Sequence, residues 1–216
     1  MIARLVRWLG LDRGEPAVRS DRWVVIDTET SGLDPDRDRL IAIGGVAVDE
    51  HGALPGDSFE VVLQSDAGSS EANIMLHGIG RGAQASGVPA AQALAAFRHW
   101  AGEAPRVGFH VDFDRIVLER AFAKAGIDDE PRPWLDLAPL AAALEPRAKR
   151  YGAHSLDDWL AAFGIECSVR HNAAADAFAT AELLLRLKSM ASRQGARSFD
   201  ALATVARQNK WLGDAD

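Results

Sequence analysis

Two acids at the end of one apolar run are the first residues in this sequence whose types and spacing could do chemistry. The run from Trp23 to Ile26 is apolar and β-branched, which is typical of a buried strand, and Asp27 and Glu29 follow it. Side chains two residues apart on a strand share a face, so these two carboxylates would project together. One interpretation is that a divalent cation with oxygen ligands relieves their repulsion. The other is that the two acids are simply solvated at a strand edge and bind no cation.

Two predicted helices each begin their apolar face with a further acid. Apolar side chains follow Asp114 at helical spacing, and Asp112 is the expected N-cap, which leaves Asp114 inside the first turn. The last long helix repeats this arrangement, with Asn172 as the expected N-cap and Asp176 at the head of the inward face. The helix dipole also favours an acid in a first turn, so each of these residues alone has a structural explanation.

A histidine precedes the last of these acids. His171 would lie in the loop before the final long helix, near Asp176, although a lone loop histidine is usually only exposed. Four converging carboxylates suit two divalent cations about 3.5 to 4 Å apart, which hold the attacking and leaving oxygens of a phosphoryl displacement. A neutral imidazole can take the proton of the attacking water. The four acids and the histidine together therefore predict hydrolysis of a phosphodiester.

The elements that must position these side chains alternate along the chain. Strands are predicted at 23–26, 40–48 and 59–63, and short strands at 106–109 and 134–136. Helices are expected at about 89–100, 113–125, 137–144, 155–163, 173–192 and 198–208. The Gly- and Ser-rich stretch at 65–87 has little periodicity, and 146–152 is expected to be a basic loop. Three strands followed by alternating helices and strands predict an α/β fold with a mixed sheet.

Composition bounds the class of protein. With 216 residues, 48% of them hydrophobic and 25% charged, the chain fits one globular domain with small extensions. No apolar stretch approaches the roughly 20 residues of a membrane-spanning helix, and the first residues lack a secretory signal, so we expect a cytoplasmic protein without membrane contact. The net charge of −7 argues against a broad basic surface that coats duplex nucleic acid, although it allows a nucleic-acid enzyme.

The single cysteine, Cys167, excludes an internal disulfide and fits a reducing compartment. Its spacing from His171 would suit a thiol nucleophile, but the sequence offers no third residue to orient the histidine, and the four acids would go unexplained. One compact basic cluster, Arg147, Lys149 and Arg150, lies beside Tyr151. It is either solvated surface or a contact for substrate phosphates, and in the second case neutralising it would flatten the salt dependence of binding.

These residues, in this order, resemble the DnaQ-like 3′-5′ exonucleases of the DEDDh type, the family of the proofreading ε subunit of bacterial DNA polymerase III. The first motif, D-T-E-T-S-G-L-D, begins at Asp27, the second, G-F-H-V-D-F-D, ends at Asp114, and the third, H-N-A-A-A-D, runs from His171 to Asp176. The resemblance covers about residues 23–187. It implies a ribonuclease H-like fold, in which a mixed five-stranded sheet, an antiparallel meander followed by parallel strands, is flanked by helices.

The resemblance also implies a role for each matched residue. Asp27, Glu29 and Asp176 would ligate the cation that holds the attacking water. Asp27 would also reach a second cation, and Asp114 would bind that one partly through water. The expected cofactors are two divalent cations, Mg²⁺ or Mn²⁺, and His171 would be the general base.

Substrate contacts are implied as well. The backbone from Thr28 through Thr30 to Gly32 would hold the terminal nucleotide, and Leu33 would pack against its base. His77, in the motif L-H-G-I, would line the same groove, although a Gly-flanked histidine can equally satisfy a turn.

The second motif departs from the family pattern. Many relatives have His-Asn where this chain has Phe109 and His110, so the hydrogen bonds of that Asn to the substrate backbone need another donor. We hypothesise that His110 substitutes for it. A His110→Ala variant with unchanged substrate affinity would rule this out.

The sequence thus predicts a metal-dependent 3′-5′ exonuclease that releases nucleoside 5′-monophosphates from single-stranded DNA or RNA 3′ ends, with DNA favoured. Two alternatives stay open, an RNA-trimming exoribonuclease of the same superfamily and a binding subunit associated with a DNA polymerase. We expect an N-terminal extension at 1–20, the exonuclease domain at 21–192 and a C-terminal helical tail at 193–216. The tail would either bind a partner or pack on its own domain.

Overall fold

Five strands form one mixed sheet in the computed structural model, which describes residues 21–65, 67, 69–167 and 169–213. The strands are β1 (Trp23–Thr30), β2 (Leu40–Val48), β3 (Ala53–Val62), β4 (Arg106–Gly108) and β5 (Trp134–Asp136), in the order β3-β2-β1-β4-β5. The pairs β1–β2 and β2–β3 are antiparallel, and the pairs β1–β4 and β4–β5 are parallel. The predicted five-stranded mixed sheet is confirmed, while the predicted extension at 1–20 lies outside the described residues.

The helices flank this sheet. They are α1 (Glu71–His77), α2 (Arg81–Ala85), α3 (Ala90–Ala101), α4 (Val111–Ala125), α5 (Leu137–Leu144), α6 (Pro146–Arg150), α7 (Leu156–Ala162), α8 (Ala173–Ser192) and α9 (Phe199–Gly213). The stretch without periodicity holds the short helices α1 and α2, and the expected basic loop is the one-turn helix α6, which a proline at its first position favours. No helix in the described part of the chain is both long and apolar enough to cross a membrane.

The sheet separates two apolar layers, because side chains alternate along β1. Trp23 and Val25 pack in a cluster with buried residues of α5, α8 and α9, whereas Val24 and Ile26 pack with α3 and α4. Each fully buried aliphatic side chain stabilises the fold by about 1.5 to 3 kcal/mol relative to an exposed one. The central strand is therefore held from both sides up to the point where its acids begin.

The C-terminal helix α9 belongs to one of these layers. Leu202, Ala203 and Ala206 are buried in it, and the ring of Phe199 meets that of Trp23 edge-on at 5.2 Å. In its described residues the predicted tail therefore packs on the chain's own sheet.

The start of α4 differs from the prediction. The helix begins at Val111, so its N-cap is His110, in the left-handed conformation with a φ of 56° and without a side-chain capping bond. Asp112, expected to be the cap, lies in the first turn and pairs with Arg115 at 3.4 Å. The two-residue connection from β4 forces this early start and leaves no room for an extended residue at position 112.

Candidate active site

Three carboxylates meet at the carboxyl end of β1. Asp27 and Glu29 lie on the face of the strand that packs against α8, and Asp176 projects from the first turn of that helix. Ligand oxygens of the three residues all lie within 4.8 Å of one another. The side chain of Asp176 is buried, and those of Asp27 and Glu29 are half-buried. The structure thus brings together three of the four predicted acids as one ligand set.

A glycine in β2 allows α8 to approach the sheet closely enough for this. Gly44 pairs with Asp27 across the β1–β2 ladder. A Cβ atom at Gly44 would lie 2.1 Å from the backbone carbonyl carbon of Ala173, the first residue of α8. The side chain of Asn172 caps the helix by accepting from the N–H of Ala175 at 2.9 Å, as predicted. Glycine inside a strand is a known sign of such close approach, and sequence reasoning missed it here.

The fourth acid lies behind the other three. Asp114 is buried in the first turn of α4, on the opposite face of the sheet, and accepts a hydrogen bond from the Thr28 hydroxyl at 2.6 Å. It is not part of the compact ligand set. Its charge nevertheless reaches that set, because Asp114 is the strongest neighbouring charge that raises the pKa of Asp27. Thr28 therefore orients Asp114 next to the end of β1.

The acids of this site are difficult to ionise. Burial, followed by the charges of Asp114, Asp176 and Glu29, raises the pKa of Asp27 well above its ordinary value. Burial raises the pKa of Glu29 to about 7, with the charge of Asp176 as the next cause, and burial raises the pKa of Asp114 to about 7. Three carboxyls shifted upward in one place are typical of a functional site. A cluster of hard oxygen donors fits a divalent cation.

One basic side chain counters this charge. The guanidinium of Arg170 forms ion pairs with Asp176 and with Asp157 of α7. It is the one base among the described residues that lowers the pKa of both Asp27 and Glu29. The sequence offered a signal for it only in its position directly before His171, and the sequence analysis gave it no role.

The predicted general base lies on the loop that joins Arg170 to α8. His171 is half-buried and has a φ of 60°, a left-handed conformation that is uncommon for a residue other than glycine. Its backbone N–H donates to Oδ2 of Asp176 at 3.0 Å. Because Arg170 pairs with Oδ1 of the same carboxylate, both oxygens of Asp176 are contacted by this loop. The histidine is therefore fixed through its backbone to one of the three carboxylates of the candidate ligand set.

The loop after β1 is organised around one aspartate. The Asp38 carboxylate accepts from the Ser31 hydroxyl and from the backbone N–H of Asp34, both at 2.8 Å. The hydrogen bond from Asp34 is the main reason why the pKa of Asp38 is lowered. A Cβ atom at Gly32 would lie 2.4 Å from this carboxylate, so a side chain at position 32 would displace it. At the tip of the loop, the side chain of Leu33 is 88% exposed.

Both ring nitrogens of His77 form hydrogen bonds within the chain. Its Nδ1 accepts from the backbone N–H of Ile79 at 2.9 Å, so Nε2 carries the proton and donates to Oδ1 of Asn73 at 2.7 Å. The Asn73 amide in turn donates to the carbonyl of Thr30 at 3.0 Å. Burial lowers the pKa of His77, which keeps the ring neutral. The geometry favours the turn interpretation of His77 and shows that, through Asn73, it holds the end of β1.

His110 lines a cleft next to the second motif. The backbone N–H of His110 donates to the Asp136 carboxylate at 2.9 Å. Its side chain is exposed, and ring atom Nε2 lies 3.3 Å from the carbonyl of His154. The cleft has a volume of about 410 Å³, and its walls include Lys149 and Trp159. Since α4 begins directly after His110, this cleft opens beside the helix that carries Asp114.

Comparison with known proteins agrees with this geometry. The profile of the RNase_T family, described as Exonuclease, matches residues 24–184. A DNA polymerase III subunit epsilon-like protein of Rhodobacter capsulatus is 30% identical over 190 residues, which are 87% of this chain and 26% of that protein. A DNA polymerase III of the PolC type from Bacillus subtilis is 29% identical over 186 residues, or 86% of this chain and 13% of that protein. The chain thus spans about a quarter or less of these relatives.

Solved structures share the fold at lower identity. Exonuclease I superposes with a TM-score of 0.70 at 21% identity, covering 80% of this chain and 42% of that one. Exonuclease X, in complex with 5′-overhanging duplex DNA, gives a TM-score of 0.66 at 20% identity and covers 85% of this chain and 99% of that one. The motifs, the sheet order and the matched profile agree, so the chain belongs to the RNase_T exonuclease family and has the DnaQ-like, ribonuclease H-like fold.

Proposed function

We propose that the chain is a metal-dependent 3′-5′ exonuclease that hydrolyses the terminal phosphodiester bond of single-stranded nucleic acid and releases nucleoside 5′-monophosphates. The observation that carries this proposal is the convergence of Asp27, Glu29 and Asp176, with ligand oxygens within 4.8 Å, beside Asp114. Membership of the exonuclease family supports hydrolysis from an end. DNA is favoured because the similar proteins include a DNA polymerase III subunit epsilon-like protein and a DNA polymerase III of the PolC type.

The acids fit divalent cations, and each would have a place. Asp27, Glu29 and Asp176 would hold one ion, and Asp27 with Asp114 would hold a second. Mg²⁺ and Mn²⁺ suit this set because both prefer carboxylate and water oxygens. Bound ions of this kind supply Lewis acidity, which activates a water and stabilises negative charge on the phosphate.

The chain's own residues would do the rest. The hydroxyl of Thr28 fixes the rotamer of Asp114, and the bond from Asn73 to the carbonyl of Thr30 fixes the end of the strand that carries Asp27. His171, in its neutral form, would accept the proton of the attacking water. Its backbone bond to Asp176 keeps the imidazole on the same loop as a metal ligand, which restricts where it can take that proton.

The loop after β1 would receive the 3′-terminal nucleotide. Its backbone between Thr28 and Gly32 is rigid, since Thr30 Oγ1 donates to the carbonyl of Gly32 at 2.6 Å and Asp38 holds the turn. Leu33, nearly fully exposed at the tip, offers an apolar surface to a base. His110, with an exposed ring at the mouth of the cleft, would donate to the substrate backbone.

Two alternatives keep specific support. An RNA-trimming exoribonuclease would use the same acids, because hydrolysis does not depend on the sugar, and the choice rests on how the site treats the 2′-hydroxyl. Association with a DNA polymerase in the cytoplasm is suggested by the names of the relatives, of which this chain matches one part.

The test is digestion of 5′-labelled single-stranded DNA and its RNA counterpart with Mg²⁺, Mn²⁺ or chelator. We expect a metal-dependent ladder that shortens from the 3′ end, and loss of about 10³-fold or more in rate for Asp27→Asn and 10²-fold or more for His171→Ala. The faster substrate identifies the sugar preference. Absence of cleavage with either metal, in protein shown to be folded, would overturn the proposal and favour a binding subunit.

A further inference from the structure

We propose that one face of α6 and the turn after it bind the single strand upstream of its 3′ end. This basic surface consists of Arg147, Lys149, Arg150 and Tyr151. The inference rests on the proposed function, because it extends the substrate contact beyond the reacting phosphodiester. Nucleic acid is the occupant because the surface combines clustered positive charge with an exposed aromatic ring, the pair of features that bind single strands.

The charged groups of the basic surface point into solvent. Arg147, Lys149 and Arg150 are all exposed, within one turn of helix. Within the part of the chain that the structure describes, neither Arg147 nor Arg150 forms a side-chain hydrogen bond or an ion pair. Three positive charges are thus concentrated on a protein with a net charge of −7, which makes this a local positive field on an acidic molecule.

The aromatic member of the surface is equally available. Tyr151 is the chain's one tyrosine, and its side chain is 89% exposed directly after α6. At this exposure both faces of the ring are open to a ligand. Because every base has a flat π-face, such a ring stacks on a nucleotide without regard to sequence.

Contacts connect the basic surface to the second motif. Lys149 Nζ lies 2.8 Å from Nδ1 of His154, and the carbonyl of His154 lies 3.3 Å from Nε2 of His110. These residues line the cleft of about 410 Å³ that opens beside α4. The acids of the cleft wall are engaged, since Asp136 accepts from the N–H of His110 and Asp112 pairs with Arg115. The cleft therefore leads from the helix of Asp114 to α6.

A second set of contacts connects the surface to the third motif. α7, which follows the basic surface after a short turn, carries Asp157, and Asp157 pairs with Arg170. Arg170 pairs in turn with Asp176 of the metal-ligand set. The segment from α6 to α7 thus contacts residues next to both the second and the third motif, so a strand leaving the reacting end along the cleft would meet the basic surface.

The test compares substrates that differ in length. The ester p-nitrophenyl thymidine 5′-monophosphate occupies only the reacting site, whereas a 15-nucleotide thymidine strand would also cover α6. For the triple variant Arg147→Gln, Lys149→Gln, Arg150→Gln, we expect ester hydrolysis within twofold of the wild type and a KM for the 15-mer raised about tenfold or more. The slope of log affinity against log salt should become shallower by about 2, since each lost phosphate contact on a single strand removes about 0.7.

A matched control removes the same charge elsewhere. Arg186→Gln, Arg193→Gln and Arg197→Gln neutralise three exposed arginines on or beyond the distal part of α8, whose length is about 30 Å. We expect this variant to keep the wild-type KM within twofold. Equal losses in both triple variants would overturn the proposal and assign the effect to net charge.

Stacking is tested separately with Tyr151→Ala and Tyr151→Phe. The alanine variant should lose about tenfold in affinity for the 15-mer, and the phenylalanine variant should retain it. Affinity is measured by fluorescence anisotropy of labelled strand with Ca²⁺, so binding is read without turnover. If KM, salt slope and anisotropy are unchanged in all α6 variants while the ester is still hydrolysed, the proposal that the basic surface binds the strand is wrong. Failure of the wild type to hydrolyse the ester would instead count against the proposed function. The anisotropy would still show whether the basic surface binds the strand.

Discussion

The protonation of Glu29 and Asp114 connects the active site to the stability of the whole protein. The pKa of Glu29 rises from 4.5 to about 7, and that of Asp114 from 3.8 to about 7. Between these values the folded protein holds protons that the unfolded chain has released. By linkage, the free energy of unfolding of the metal-free protein therefore falls as pH rises through this window.

The first prediction concerns this pH window. In chelator, the free energy of unfolding should be higher at pH 5.5 than at pH 8, with a fall in Tm of roughly 5 °C, measured by urea and thermal unfolding. Glu29→Gln should flatten the slope, because glutamine does not titrate. Saturating Mn²⁺ should remove it, because the metal-bound acids are ionised throughout. A metal-free protein that is more stable at pH 8 would contradict the burial of these acids.

Arg170 carries a second prediction at this scale. Its guanidinium pairs with Oδ1 of Asp176, one of the three candidate metal ligands, and it adds positive charge near Glu29. Arg170→Gln should therefore bind Mn²⁺ about tenfold more tightly, in line with the effect of one nearby charge, and should be less stable without metal. Titration calorimetry measures the affinity, with Arg186→Gln as an exposed control on α8. Weaker Mn²⁺ binding would show that Arg170 instead holds Asp176 in its ligating position.

At the scale of secondary-structure elements, the contact between β2 and α8 places the acids. Gly44 leaves no room for a side chain beneath Ala173, so the helix lies directly on the strand opposite Asp27. Any displacement of α8 moves Asp176 away from its partners. The distance between two elements, rather than a direct contact with substrate, is what this glycine controls.

We therefore predict that Gly44→Ala destabilises the protein by about 1 to 3 kcal/mol, because the added methyl overlaps the helix backbone. The affinity for Mn²⁺ should fall about tenfold or more, since metal sites tolerate only small ligand displacements. Urea unfolding and calorimetry give the two values. Gly56→Ala is the matched control, because a Cβ atom there meets nothing within 4 Å. Wild-type affinity in Gly44→Ala would mean that α8 is not set by this contact.

At this scale the sequence predicted the features that depend on neighbouring residues and missed those that depend on contacts between distant parts of the chain. Local rules identified the strand before Asp27 and the cap at Asn172, because each depends on residues a few positions apart. They failed at Asp112, where the short link from β4 fixed the start of α4. The roles of Arg170, Asn73 and Gly44 depend on contacts that only the fold creates. The periodicity of the sequence does not predict such contacts.

The resemblance to a family supplied what these local rules could not. It predicted a five-stranded mixed sheet, with an antiparallel meander followed by parallel strands, and gave each of the four acids a role, and the family and the fold are confirmed. The roles of the individual site residues stay predictions. The structure shows three of the acids as one compact set, with the fourth held by Thr28 on the other face of the sheet.

Across the whole molecule, buried ion pairs tie the layers together away from the active site. The Arg22 guanidinium is 6% exposed and donates to Asp57 at 2.8 and 3.1 Å and to the carbonyls of Trp100 and Ala101. The indole N–H of Trp100 also donates to Asp57, at 2.8 Å. This network joins β3 to the start of β1 and to the end of α3.

Asp57→Ala should therefore lower the free energy of unfolding by about 3 kcal/mol, because it leaves a buried guanidinium without its carboxylate. Urea unfolding measures the loss. The affinity for Mn²⁺ should stay within twofold of the wild type, since the network does not contact Asp27, Glu29 or Asp176. Asp36→Ala, an exposed acid in the loop after β1, should change stability by no more than about 0.5 kcal/mol. Equal effects of the two substitutions would show that the network is not stabilising.

The wide separation of Asp27 and Asp176 along the chain has a consequence for biosynthesis. The first strand emerges from the ribosome long before α8, which supplies the last ligand and the predicted base. A nascent chain that ends before residue 173 lacks both, and the strand and the helix must still find each other over a long loop. The proposed hydrolysis would therefore become possible only after the chain has been made and folded through α8, so shorter nascent chains would be inactive.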